Sequence, residues 1–358
     1  MRTVLSFSLA ASLAACGGSD YGSSPPPVAQ PPMASNTLFT VTSLVVDSGA
    51  SAAHTDAKLI NSWGIAFNPT GFVWVANNGS SSSTLYDGNG VPQSLVVATP
   101  VAPTGIVFNG SSDFKITQNG VSAASPFIFA GENGSIAAWS PTVNRNNALT
   151  VVDGAGAQAV YKGLAIATYN SANYLYATDF HNNRIDVYDA AFNKATLPGG
   201  FKDASLPAGY APFGIQTVGD RIYVSYAQRE TNGDDDVKGA GLGAIDVFDT
   251  AGNLVRQLVR GGALNAPWGM AVAPSNFGTY SGKLLVANFG DGKINAYDTA
   301  TGVMTGTVTK ADGSAVVIDG LWGIAFGPGV NSQPTNTMFF TAGPGDEAHG
   351  LYGRLDMM

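Results

Sequence analysis

Cysteine is almost missing from this chain: its 358 residues hold one, Cys16. No disulfide can form within the chain, so whatever folds must be held by its core. Charge is scarce as well. Lys, Arg, Asp and Glu make up 12% of the residues, and 17 basic against 25 acidic side chains leave a net charge of −8. No basic run occurs, which excludes a nucleic-acid surface, since tracking phosphates needs clustered Lys and Arg. The sequence contains no G-x-S-x-G, H-E-x-x-H or Walker-type segment, so it encodes no nucleophile elbow, zincin helix or phosphate loop. The glycines of 239–243 lie between strand-like segments with no helix after them, which removes a dinucleotide loop. No stretch keeps a helical period, and no apolar run reaches the length of a membrane helix.

What the chain has in quantity is glycine, 45 residues, and aromatics at 10%. Six of the glycines open short apolar strands: Trp63-Gly64-Ile65, Thr104-Gly105-Ile106, Lys162-Gly163-Leu164, Phe213-Gly214-Ile215, Trp268-Gly269-Met270 and Trp322-Gly323-Ile324. They are spaced 41, 58, 51, 55 and 54 residues apart. A unit recurring at that period cannot bury its own apolar faces and needs neighbours on both sides. Further alternating strands follow each glycine, as in Phe72–Ala76 and Ser83–Tyr86, with Asp-Gly and Asn-Gly pairs between strands. The pattern predicts an all-β fold, a six-bladed β-propeller over 37–358. Residues Asn109–Ser125 read as an insertion in the second blade. The sixth blade lacks a fourth strand, and Leu38–Val46 is predicted to supply it, closing the ring and removing an open sheet edge.

The N-terminus has a separate reading. Arg2, the apolar run Val4–Leu13 and the small residues before Cys16 form a secretory signal too short to span a bilayer. Leu13-Ala14-Ala15-Cys16 resembles the bacterial lipobox, which implies a signal peptide over 1–15, cleavage before Cys16 and lipidation of its thiol. Residues 16–36 are then a Gly/Ser/Pro tether. The expected location is the bacterial cell envelope, anchored through the lipid. Gly17 after the cysteine resembles the sorting pattern of the outer membrane, and the propeller is expected to face the periplasm or the cell surface.

In a propeller the innermost strand starts, and the second strand ends, at the same mouth of the channel. One set gathered there includes Asn61, Trp63, Phe213, Trp268 and Trp322. The other includes Asn77, Asn78, Glu132, Asp179, Phe180, His181, Asn288, Asp291, Glu347 and His349. A concave mouth with converging polar groups is the place to expect a ligand. The expected ligand-binding set is Trp63, His181, Trp268, Asp291, Trp322 and His349. Carboxylate and amide oxygens suit Ca²⁺ or another divalent metal, and Asn77, Glu132, Asp179 and Asn288 are the candidate ligands. His181 beside Asp179, and His349 beside Asp346 and Glu347, suit a transition metal or acid–base chemistry. These histidines belong to opposite blades. Asn, Asp and Gly at strand ends also make ordinary turns, and the tryptophans also serve simply to pack blades. Gln228–Gly239 is the longest polar loop, read as lying over the mouth; its acids do not alternate as in a calcium loop.

Several runs carry a resemblance. Ala263-Leu264-Asn265-Ala266-Pro267-Trp268-Gly269, Asn288-Phe289-Gly290-Asp291-Gly292, Asp319-Gly320-Leu321-Trp322-Gly323 and Thr341-Ala342-Gly343-Pro344 resemble an uncharacterised bacterial family of exported NHL-like propellers, as do Asp235-Asp236-Val237 and His349-Gly350-Leu351. The resemblance covers nearly all of 37–356 and implies the fold and export; it brings no catalytic residues. A looser similarity, at the level of architecture, is to gluconolactonase and SMP-30-like enzymes, which implies a channel metal held by Glu, Asn and Asp. The expected function is therefore a lipid-anchored envelope propeller binding a small molecule, glycan or protein at one mouth; the alternative is a divalent-metal-dependent hydrolase such as a lactonase.

Overall fold

The computed structural model describes residues 37–49 and 51–358. The signal segment, Cys16 and the tether through residue 36 lie outside the described residues. Two short 3-10 turns, Ala155–Ala157 and Gly278–Tyr280, are the helical elements among the described residues; the rest is strand and turn. Six sheets form the blades, five wholly antiparallel and the sixth antiparallel except where Leu38–Val46 also pairs in parallel with His54–Thr55 and Thr309–Lys310. Their inner strands are Ser62–Phe67, Pro103–Phe108, Tyr161–Tyr169, Tyr210–Val218, Pro267–Val272 and Leu321–Phe326, and each is the terminal strand of its sheet. The insertion in blade 2 is a separate hairpin, Lys115–Gln118 with Val121–Ala124.

Blade 6 is completed from the other end of the chain, as the sequence predicts. Leu38–Val46 pairs antiparallel with Leu351–Met357, from Phe39 opposite Met357 to Val46 opposite Leu351. Phe39, Leu44 and Val45 are buried in the process, so the closure carries apolar packing as well as backbone bonds.

The repeated glycine has a spatial cause. A Cβ on Gly64 would lie 2.5 Å from the carbonyl oxygen of Thr104 in the next blade, and one on Gly214 would lie 2.0 Å from that of Trp268. Gly105, Gly163, Gly269 and Gly323 meet the backbone of Leu164, Phe213, Trp322 and Trp63 in the same way, the last contact joining blade 6 to blade 1. None of the six has a positive φ, so it is room and not conformation that demands glycine. On the second strand beside three of them a hydroxyl reaches across to the next blade: Thr178 Oγ1 donates to Phe213 O at 2.8 Å, Ser225 Oγ to Pro267 O at 2.7 Å, and Thr341 Oγ1 to Trp63 O. Blades are thus joined around the axis by close backbone approach and by these hydroxyls.

Beyond the glycines the inner strands line a cavity of about 480 Å³, walled by Ile65, Phe67, Ile106, Leu164, Met270 and Ile324 among others. It narrows at the level of the glycines. At the other end, where the inner strands begin, the axis is blocked.

Candidate functional site

The block is built from the residue that precedes each repeated glycine: Trp63, Thr104, Lys162, Phe213, Trp268 and Trp322. Trp63 and Trp322 stack at 3.5 Å between ring centroids, Phe289 stacks on Trp322 at 3.8 Å, and Trp268 stands edge-on to both tryptophans. Phe180 and Phe213 complete the cluster. Trp63 Nε1 donates to Asn61 Oδ1 at 3.0 Å and Trp268 Nε1 to Lys162 O at 2.9 Å. Trp322 Nε1 is buried without an acceptor.

Over this aromatic floor runs one polar network contributed by five blades. Lys162 is 3% exposed, and its Nζ lies 2.6 Å from Glu132 Oε1 and 3.7 Å from Asp235 Oδ1. The same ammonium sits 5.4 Å from the Trp63 ring and 5.8 Å from the Phe180 ring. Asn78 Nδ2 donates to Glu132 Oε2 at 2.9 Å, and Asn61 Nδ2 donates to Glu347 Oε2 at 2.6 Å. Burial works against the Lys162 charge, but Glu132 beside it, helped by Asp235 and Asp236, holds its pKa above the ordinary lysine value. Glu347 is pushed up by burial first, then by repulsion from Glu132 and Asp235, against the Asn61 hydrogen bond and the Lys162 charge. Asp236 is pushed up to about 6 by burial, which outweighs the attraction of Lys162 and Lys238. Its Oδ2 has no hydrogen-bond partner.

The loop Gln228–Gly239 brings the acids here. Val237 N donates to Gln228 O at 2.8 Å and Glu230 N to Asp235 O at 3.0 Å, so the loop closes on itself as a strap. Arg229 Nη1 holds the carbonyls of Phe180 and His181 in blade 3, while Gly239 N reaches Asn265 Oδ1 in blade 5 at 2.7 Å. Beside the strap, between blades 5 and 6, lies a pocket of about 370 Å³ lined by Lys238, Phe289, Asp291, Asp319, Asp346 and Glu347 among others.

The sequence candidates fall into three groups. Trp63, Trp268 and Trp322 are buried in the floor, packed on one another across the axis and not between neighbouring blades alone. Asp291 lines the pocket, pairing with Lys293 at 3.2 Å and accepting from Asn288 Nδ2 at 3.1 Å. The histidines stay apart, and neither meets its expected partner. His181 Nδ1 pairs with Asp234 Oδ1 of the strap at 2.7 Å, and His349 Nδ1 with Asp47 Oδ2 at 3.0 Å.

Of the four candidate metal ligands, Glu132 belongs to the network. Asn77 is taken by Ser62, Ser82 and Thr84; Asp179 accepts from Val160 N and Asn182 and pairs with Arg184 at 3.1 Å; Asn288 Nδ2 donates to Ala263 O at 2.8 Å. No hydrogen bond joins any of the four to another, and among the described residues no group of three or more His, Cys, Asp or Glu is placed to hold an ion.

Sequence reasoning passed over Lys162. Its signal was present: at the position before the glycine, the other five blades carry Trp, Thr, Phe, Trp and Trp, and one carries a lysine.

No protein-family model matches the chain. Among solved structures it is similar to virginiamycin B lyase from Staphylococcus aureus, at 14% identity over 90% of this chain and 100% of that one, with a TM-score of 0.51. The soluble aldose sugar dehydrogenase of Escherichia coli gives 11% identity over 89% and 100%, with a TM-score of 0.51. A Bacteroides thetaiotaomicron protein of unknown function gives 11% identity over 90% and 77%, with a TM-score of 0.57. At these identities the likeness establishes the propeller fold alone. In sequence, the uncharacterized protein R648 of Acanthamoeba polyphaga mimivirus is 33% identical over 331 residues, 89% of this chain and 80% of that protein. The uncharacterized protein L690 of the same virus is 33% identical over 88% of this chain and 85% of its own length. The chain belongs to the family of these two mimivirus proteins.

Proposed function

We propose that this chain is an exported, lipid-anchored β-propeller of the bacterial NHL-like kind that binds a small polar molecule at the mouth closed by its tryptophans. The observation that carries the reading is the network Glu347–Asn61–Asn78–Glu132–Lys162 laid over a buried aromatic floor. A scaffold needs no such convergence of charge from separate blades, and burying it costs desolvation that a binding site recovers by positioning its ligand. Amide and carboxylate groups above aromatic rings suit a ligand with several hydroxyl or amine hydrogens, which matches a sugar-sized molecule. The test is a thermal-shift panel of neutral sugars, amino sugars and short amines on the mature chain and on Lys162→Met. A ligand that raises the melting temperature of the parent and leaves the variant unmoved supports the reading. A panel that shifts both proteins equally, or neither, removes the mouth as a binding face.

A further inference from the structure

The pocket between blades 5 and 6 has an unusual occupant, a side chain of the protein itself. Phe289 stacks on Trp322 through one face, at 3.8 Å, and the Lys238 ammonium lies over the ring at 4.3 Å, so it must cover the other face. The remaining polar lining is acidic: Asp291, Asp319, Asp346 and Glu347. Lys238 is loosely held there. Its carboxylate neighbour is Asp346 at 4.0 Å, and the two side chains are 47% and 97% exposed, so the pair contributes little. An ammonium on an aromatic face surrounded by carboxylates is the arrangement by which proteins recognise organic cations.

We infer that this pocket binds a small molecule bearing a primary ammonium group, which takes the place over Phe289 that Lys238 occupies in its absence. This rests on the mouth being a binding face and narrows what it binds. Electrostatics point the same way: with Asp291 already paired to Lys293, Asp319, Asp346 and Glu347 stand against one lysine in the lining. Lys238 then acts as an internal competitor: it keeps the ring covered and sets a threshold that a ligand must exceed.

The probe is n-pentylammonium chloride, which matches the end of a lysine side chain, with n-pentanol as the neutral isostere. Both are titrated against the full mature chain by ligand-observed NMR at low salt. Lys238→Met keeps the apolar stem and removes the competing charge, and is expected to bind the ammonium on the order of fivefold tighter than the parent while leaving pentanol unchanged. Adding Asp319→Asn to it is expected to reverse part of that gain, and 200 mM salt to weaken binding in every variant. Equal affinity for pentanol and the ammonium in Lys238→Met overturns the cation and leaves the face intact. No gain on removing Lys238 overturns the competitor, and no ammonium binding to either protein overturns the site.

Discussion

Placing alanine at Gly214 and, separately, at Gly163 sets two equivalent positions of the repeat against each other. A Cβ at Gly214 would lie 2.0 Å from Trp268 O, 2.8 Å from Trp268 C and 2.7 Å from Ser225 Oγ, with backbone of the next blade in its way. Ser225 is also the hydroxyl that accepts from Gly214 N at 3.0 Å and donates across to Pro267 O. Neither neighbour can withdraw without parting the blades. Overpacking of this kind costs about 1–3 kcal/mol, and here the loss of the hydroxyl tie adds about 1 kcal/mol. Against that, alanine in a strand gains roughly 0.5–1 kcal/mol over glycine through the unfolded chain. The net expectation for Gly214→Ala is a loss of about 1–3.5 kcal/mol. At Gly163 the nearest atoms are Phe213 O at 3.0 Å, Thr178 Oγ1 at 3.1 Å and Ile215 Cγ2 at 3.2 Å. Shifts of a few tenths of an ångström suffice there, and the expected net change is about zero. Urea denaturation of the parent and the two variants reads both values on one scale. If Gly163→Ala loses as much stability as Gly214→Ala, room between blades is not why the repeat keeps its glycine.

Asp236→Asn should stabilise the protein at pH 8 by up to ~3 kcal/mol, the equivalent of the rise from 3.8 to about 6, and hardly at all near pH 4. The sign follows from the folded state holding the proton more tightly than the unfolded one: its ionisation lowers stability as pH rises from about 4 to 6, and asparagine has nothing to ionise. Melting curves of both proteins at the two pH values decide it; a variant less stable at pH 8 would show that Lys162 needs this charge. Deleting 37–47 removes buried Phe39, Leu44, Val45 and Val46, each contributing about 1.5–3 kcal/mol, which rivals the whole stability of a typical domain. Loss of a cooperative melt is expected, and an unchanged transition would refute the closure by that strand.

The architecture was legible because its main constraint is local. Where a neighbouring backbone passes well within 3 Å of a Cβ position, as at Gly64, Gly105, Gly214, Gly269 and Gly323, glycine is the residue that fits, and with Gly163 at the equivalent place their period prints the ring onto the chain. The missing fourth strand of blade 6 left Leu38–Val46 as the segment able to fill it, with the boundaries now found. The mouth was legible as a face and less so as a site. Which polar groups meet depends on where loops from different blades bend, and that leaves no mark in local sequence. His181 is bound by a strap residue 53 positions later, not by the adjacent Asp179. His349 turns to Asp47, 302 positions away. Asn77, Asp179 and Asn288 look like ligands because turns and ion sites use the same side chains. Lys162 is an ordinary lysine until the fold places it on the axis.

The seam in blade 6 also imposes an order in time. Blades 1 to 5 draw their strands from single stretches of chain, so each can assemble as soon as its own residues have been made. Blade 6 cannot. Phe39 through Val46 are synthesised near the beginning, and their partners, Leu351 to Met357, near the end. At about 5–20 residues per second, the first strand waits roughly 15 to 60 s for its antiparallel partner, with only the two-residue parallel pairings to His54–Thr55 and, late on, to Thr309–Lys310 available before then. Bringing ends so distant together costs about 3 kcal/mol more than closing a ten-residue hairpin, and the five finished blades lower that cost by holding the ends near each other. Ring closure is therefore the last event of folding, and the waiting strand is where a chaperone would be needed.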